Sequence, residues 1–339
     1  SILAEHAPDL VYSAALIGPG SEVLGFDTPQ STDHDWGPRL QLFLAAKRAR
    51  DDALKDRLDA IFQRELSQTF RGYPCFYTRN EDGTASPTDQ GSGRPFHRIT
   101  FHTVHGFFGR ALNWDVDQGP SVADLLAMPE QVLRSVTAGA VYHDGLGQLE
   151  PVRAQLRYYP HDLWLYLLTN QWMRVSQEEH LMGRCGQVGD DLGSHLVAAR
   201  LVRDLMRLCF LIERTYAPYI KWFGTAFQQL DCAADLAPIL RRVMQAETWQ
   251  QRETHLCAAY EYVARMHNAL GLTAPLDPSV SQFFGRPFRV LHAERFAEAL
   301  HAEIQDPEVR ALPEYLGGID QFVDSTDVLS LPQKAAKVK

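Results

Sequence analysis

Leu16-Ile17-Gly18-Pro19-Gly20-Ser21-Glu22, followed after a short loop by Asp33-His34-Asp35, is the stretch on which the reading of the fold turns. The apolar run Val11–Ile17 reads as a buried strand that ends at Gly18-Pro19-Gly20. A strand that runs through Gly-Ser into a helix offers unobstructed backbone N–H groups and a hydroxyl to phosphate oxygens. Taken alone, Gly20-Ser21 reads first as a helix-capping turn, and it is the pairing with the two aspartates that makes it a phosphate cradle. Asp33 and Asp35, spaced i, i+2 on an extended segment, point to the same side. Such a pair is a poor partner for one lysine but a good oxygen cage for Mg²⁺. A phosphate cradle beside a Mg²⁺ cage makes a site for phosphoryl or nucleotidyl transfer, where metal offsets developing charge. Asp27 and Ser31, between the two halves, are expected to shape the loop.

Outward from this stretch, Arg39–Leu44 alternates polar and apolar residues and reads as a second strand. Residues 46–67 read as an amphipathic helix, 79–94 as a polar, Gly-rich loop, Arg98–Val104 as a third strand, and Ala140–Gly147 as a strand running into a tight turn. From about residue 160 the texture changes to long helical periods. Val197, Leu201, Leu205, Leu208 and Ile212 form one stripe, and Leu256, Tyr260, Val263 and Met266 another. The expected fold class is therefore α+β: a small mixed sheet with flanking helices over residues 1–165, then a helical bundle over 166–330. Residues 331–339 are expected to be a disordered tail.

The chain has 339 residues and a formal net charge of −9, with 45% hydrophobic and 22% charged residues. That is the composition of a folded globular protein, and its length suits two cores. Lysines and arginines are scattered among acids, without the basic stripe that grips long nucleic acid, so small-molecule or protein substrates are favoured. No window has the roughly 18 uninterrupted apolar residues of a membrane helix. The five cysteines show no C-x-x-C pair, which suits free thiols in a reducing cytoplasm.

The order apolar strand, Gly20-Ser21, then Asp33-His34-Asp35 before a strand resembles the signature of the nucleotidyltransferase superfamily. That superfamily includes polymerase β, the antibiotic adenylyltransferases and protein-adenylylating enzymes. Trp36-Gly37-Pro38-Arg39, Ala217–Gly224 and Asp320-Gln321-Phe322 look like a bacterial family of unassigned function within it. The resemblance implies a Mg²⁺-dependent transfer of a nucleoside monophosphate from a nucleoside triphosphate, foremost ATP, to an acceptor hydroxyl. Acceptors open at this point are a small molecule or a protein side chain; tRNA end-processing is least favoured by the acidic charge.

The superfamily also supplies a third carboxylate from a later strand, and Ile99–Val104 has none. With Ile99, Phe101 and Thr103 facing the core, Thr100 and His102 face the site, where His102 is either a candidate base with a pKa near neutrality or simply a partly exposed strand histidine. Asp144 is an alternative acid, although Asp-Gly there is first of all turn chemistry. The missing acid also leaves open a nucleotide-binding protein without transfer activity. In the antibiotic adenylyltransferases the helical domain supplies a lysine to the triphosphate, a role the resemblance carries to Lys221, whose other reading is a snorkelling surface lysine; Tyr219 lines the same cleft or belongs to the core. Gly183–Asp191 reads as a Gly-rich loop before the long helix, which Asp190 or Asp191 caps, and Arg184 in it is a candidate to reach substrate or phosphate. Glu213 and Arg214 read as an internal pair, and Asp320, Asp324 and Asp327 as capping and turn acids.

Overall fold

Strand β1 (Tyr12–Leu16) sits inside a four-stranded sheet in a computed structural model that describes residues 2–32, 36–81, 83–88 and 94–335. Its antiparallel neighbours are β2 (Leu40–Leu44) on one side and, after β3 (Ile99–His102), β4 (Ala140–Asp144) on the other. Strand β3 lies parallel to β2, so the order is β3-β2-β1-β4. The protein is thus mixed α+β, with small sheets and many helices. Its contacts divide it into two units, residues 1–120 with 132–157, and residues 121–131 with 158–339. The expected boundary near 165 moves to 157, and an 11-residue stretch of the N-terminal half, 121–131, joins the second unit.

In the first unit, the period of two in β2 sorts its side chains onto two faces. Leu40, Leu42 and Leu44 pack with Tyr12, Ala14, Ile99 and Phe101 against Leu54, Leu58 and Phe62. Those last three belong to helix α1 (Asp52–Glu65). The helix expected over 46–67 is broken before α1, because the Asp51 carboxylate accepts from Leu54 N–H at 3.0 Å and starts a new helix there. On the other sheet face Phe43 and His102 meet Phe107 of helix α2 (Val104–Leu112), with ring centroids 5.4 Å from Phe107 in both cases. The loop expected over 79–94 is partly sheet: Phe76–Arg79 pairs with Ala85–Pro87 and with Phe96–His97. Gly139, just before β4, holds a φ of 72°, and a Cβ there would run into the Leu16 carbonyl oxygen.

The second unit is built on long helices: α3 (His161–Glu178), α4 (Leu181–Gln187), α5 (Asp191–Ile212) and α6 (Trp249–Ala269). Helix α5 packs on the other three, burying Leu201, Leu205, Leu208 and Ile212 as its stripe anticipates. The Gly-rich segment read as a loop is helix α4 instead. Its glycines allow close packing: a Cβ on Gly183 would stand 2.8 Å from the Phe288 ring, and one on Gly186 would collide with Trp249. Asp190 caps α5 by accepting from Gly193 N–H at 2.8 Å. Helix α7 (Glu294–Glu303) packs along α3. The tail expected to be disordered from 331 forms a short helix, Pro332–Ala335, whose Ala335 packs with Ile319 and Leu329; residues 336–339 lie outside the described residues. No described helix is long and apolar enough to cross a membrane.

Buried carboxylates pin the loops of this unit. Glu179 accepts from Leu291 N–H at 2.7 Å and Ala293 N–H at 3.1 Å. Burial pushes its carboxyl up to about 7 in spite of those bonds. The folded protein therefore binds more protons than the unfolded chain between the ordinary value of 4.5 and about 7. The stability this group contributes is complete below 4.5 and is lost as pH rises through about 7. Urea unfolding of wild type at about pH 5 and about pH 8 is expected to show that loss. Glu179→Gln, which does not titrate, should flatten that part of the pH slope; an unchanged slope would assign it to other groups.

Candidate functional site

The exit of β1 is built by two side chains from β2 and the residues just before it. Gln41, buried, donates from Nε2 to the Ile17 carbonyl at 3.0 Å and accepts from Ile17 N–H at 3.1 Å. It thereby closes the backbone of the first residue beyond the β1 ladder. The next N–H, on Gly18, donates to the Ser135 carbonyl at 2.8 Å. With Ile17 and Gly18 fixed, the chain turns through Pro19 and Gly20 into a single helical turn, Ser21–Leu24. Gly20 has a φ of 142°, a region that favours glycine, and a Cβ there would meet Arg39 and Glu22.

Arg39 lies against this turn. Its guanidinium donates to the Pro19 carbonyl and pairs with the Glu22 carboxylate, and both side chains are 17% exposed, so the pair is largely shielded from water. The loop after the turn is held by Trp36 Nε1–H donating to Asp27 at 2.9 Å and by Thr28 N–H donating to Ser31 Oγ at 3.0 Å. Asp33, His34 and Asp35 lie outside the described residues. Among the described residues no group of three or more His, Cys, Asp or Glu could hold a metal. The chemistry of the donor set, two hard carboxylate oxygens from Asp33 and Asp35, fits Mg²⁺.

His102 and Thr100 do share the sheet face opposite Ile99 and Phe101, as the alternation requires. The titration expected of His102 is corrected, however. Burial, and then the nearby Arg110 charge, lower its pKa to about 4. Arg110 donates to Nδ1 at 3.0 Å, and Nε2 lies 2.9 Å from Thr100 Oγ1. Asp144 proves to be turn chemistry. It accepts from Ser13 Oγ at 2.6 Å and from the backbone N–H groups of Gln148 and Glu150 at 3.3 and 3.1 Å. Burial alone would raise the Asp144 carboxyl, but these hydrogen bonds outweigh it and hold the group below its ordinary value.

In the second unit the candidates separate. Arg184 is exposed on α4. Lys221 is exposed on the helix Ile220–Phe227, with its ammonium 4.9 Å from the Trp222 ring centroid, rather than buried among aromatics. Tyr219 lines a cleft of about 170 Å³ that also contains Arg203 and Arg207. Arg207 stacks on Phe223, and Arg203 pairs with Asp324 at 2.6 Å. Glu213 and Arg214 do not pair: Glu213 accepts from Asp231 and Cys232 N–H, while Arg214 stacks on Trp164. Sequence reasoning missed Gln41, Glu22 and Arg39 at the turn, and the two arginines beside Tyr219. Arg203 and Arg207 stand at i, i+4 on α5, a spacing visible in the sequence.

Gln41→Leu keeps the side-chain volume but leaves Ile17 N–H and C=O buried without partners. The expected loss is about 2–4 kcal/mol of unfolding free energy by urea titration; a change within noise would show that the turn is held by other contacts. For His102, two-dimensional NMR should find the ring neutral until the pH falls to about 4. Because its folded pKa lies below 6.5, the unfolded chain binds the proton first, and stability is lost as pH falls from 6.5 to about 4. Arg110→Ala should move that titration upward, towards 6.5.

Residues 125–223, under a third of the chain, match a family described as a domain of unknown function (DUF4037). The matched span includes Arg184, Tyr219 and Lys221 and leaves out Gly20, Ser21, Asp33 and Asp35. No curated protein and no solved structure matches the chain.

Proposed function

We propose that the chain is a Mg²⁺-dependent nucleotidyltransferase that moves a nucleoside monophosphate from a nucleoside triphosphate, foremost ATP, to a hydroxyl of a small molecule. The observation that carries this reading is the exit of β1. A strand ends in Gly18-Pro19-Gly20, a helical turn begins at Ser21, and a shielded guanidinium, Arg39, stands at the turn. The neighbouring antiparallel strand, β2, is the one entered from Asp33-His34-Asp35.

In this reading the acceptor oxygen forms a bond to the α-phosphorus, the bond to the leaving pyrophosphate breaks, and the hydroxyl proton is released. The Gly20 backbone and Ser21 hydroxyl hold the outer phosphates, and Arg39 would offer them its cation in exchange for the Glu22 carboxylate that it pairs with at the turn. Asp33 and Asp35 would hold the Mg²⁺, which supplies charge neutralisation at the triphosphate. A second reading, a nucleotide-binding module without transfer activity, is favoured by His102. Its Nδ1 is occupied by Arg110, so β3 offers no free base.

Incubation with Mg²⁺, each labelled triphosphate and a cell extract as acceptor pool separates the readings. Pyrophosphate release with a labelled small molecule supports the proposal. A labelled protein would instead identify a protein-modifying enzyme, and saturable binding without turnover the non-catalytic module. Asp33→Asn and Asp35→Asn are expected to remove Mg²⁺-dependent triphosphate binding while leaving the melting temperature unchanged. Full metal-dependent binding by both variants would sink the assignment.

A further inference from the structure

The cleft of about 170 Å³ that Tyr219 lines lies wholly in the second unit and owes nothing to the transfer reaction. Arg203 and Arg207, at i and i+4 on α5, share one helix face and both line it. Their situations differ. Arg203 donates to the Asp324 carboxylate at 2.6 Å. Arg207 is half-buried with its guanidinium 5.3 Å from the Phe223 ring centroid. It has no hydrogen-bond acceptor and no ion-pair partner among the described residues. A cation held over a ring uses its charge and not its N–H groups, so the five donors of this guanidinium go unanswered. The charge of Arg207 does reach buried Asp320, whose carboxyl burial raises and Arg207 lowers. That carboxylate accepts from Glu130 N–H at 2.9 Å and forms no ion pair with Arg207. A partly desolvated guanidinium without an acceptor is costly, and it points to a ligand that brings one.

The rest of the cleft sets the charge and shape of that ligand. Asp324 is the one carboxylate among the lining residues, so two cations face one anion and a single positive charge is left over. A monoanion balances it, whereas a phosphate dianion overshoots. Ile220, Phe223 and Leu329 supply an apolar wall, and Ile220 is 66% exposed with nothing covering it among the described residues. A cavity of about 150 Å³ holds a benzene ring, so this cleft has room for one ring and a small charged group. The Tyr219 hydroxyl also has no partner among the described residues, and burial raises its pKa, which keeps it a donor. Tyr219 is itself fixed, because its N–H donates to Gln131 Oε1 at 3.2 Å at the start of the helix Ile220–Phe227.

We infer that this cleft binds a small arylcarboxylate, with its carboxylate on the N–H groups of Arg207 and its ring against Ile220, Phe223 and Leu329. A carboxylate matches the planar donor fork of a guanidinium in a way that a point anion does not. An ammonium is repelled by the two arginines. A neutral aromatic covers the wall but leaves Arg207 unanswered. Asp324 competes with the ligand, because it already holds the second arginine.

The test uses the full chain and sodium benzoate at millimolar concentration and neutral pH, with binding read by saturation-transfer NMR. Saturable binding is expected, with no displacement by benzylammonium or benzyl alcohol and weaker binding of phenyl phosphate. Arg207→Gln should weaken benzoate by about tenfold, the scale of a lost charge-assisted hydrogen bond. Asp324→Asn alters a side chain that is 77% exposed and frees Arg203, so it should tighten benzoate roughly threefold, the scale of one surface ion pair. That gain decides the matter if Arg207→Gln does not fold, since a purely structural aspartate would not produce it. Absence of saturable binding would mean that water answers Arg207, and would overturn the inference. Equal binding of benzyl alcohol, tighter binding of phenyl phosphate, or unchanged affinity in Asp324→Asn would overturn it as well.

Discussion

The buried amide of Gln41 is the constraint on which the first unit's candidate site depends. Ile17 is fully buried one residue beyond the β1 ladder, where neither its N–H nor its carbonyl has a strand partner or access to water. Each such group left unpaired costs about 1–3 kcal/mol. A glutamine side chain carries one acceptor and two donors on a planar fork, so it can close both at once. Arg39 stands two residues earlier, and residues i and i+2 of an extended segment share a side. Gln41 therefore holds Ile17 while Arg39 reaches Pro19 and Glu22, and the alternation of one segment fixes three successive points of the turn. The next residue on that side, Phe43, turns to His102 and Phe107 and closes the sheet face.

A comparable economy governs the second unit, where side-chain carboxylates replace water as acceptors for loop and helix-end N–H groups. Glu130 accepts from Ala217, Asp320 from Glu130 itself, Glu179 from Leu291 and Ala293, and Asp162 from Gln305 and Asp306. Each bond joins segments separated by 87 residues or more. A carboxylate that accepts backbone N–H groups lowers the penalty of its own burial. The raised pKa of Glu179 shows the penalty only partly offset.

These two devices mark where the sequence was legible and where it was not. Strand β1 was readable as a short apolar run that stops at glycines, β2 because one buried face imposes a period of two, and α5 and α6 because their stripes follow a period of 3.6. Gln41 was not, because a polar residue in an alternating strand reads as solvent-facing, and only the fold shows that this one faces backbone. Gly183 and Gly186 misled for a related reason: glycine composition marks loops, but here missing side chains admit Phe288 and Trp249. Residues 121–131 were assigned by position in the chain, whereas Glu130 accepting from Ala217 N–H ties them to the helical unit. Of the candidate site, the turn was legible from Gly20-Ser21, while the cation beside it was not, since Arg39 reaches it only through antiparallel pairing of β1 with β2.

The electrostatics of β3 limit what the face carrying His102 can do. A neutral imidazole has one nitrogen lone pair. Arg110 takes it at Nδ1, so the proton sits on Nε2 and is directed to Thr100 Oγ1. The ring then has nothing to offer an acceptor hydroxyl. It also lies opposite Phe43, three residues along β2 from Leu40, about 10 Å from where the chain arrives from Asp35. In place of a carboxylate, this face presents a guanidinium, which favours an anionic ligand and disfavours a metal ion. The same bond also helps set the basicity of the ring. An anion that drew Arg110 away would release Nδ1 and remove the charge that helps hold the pKa near 4. Burial, the larger cause of the lowered pKa, would remain.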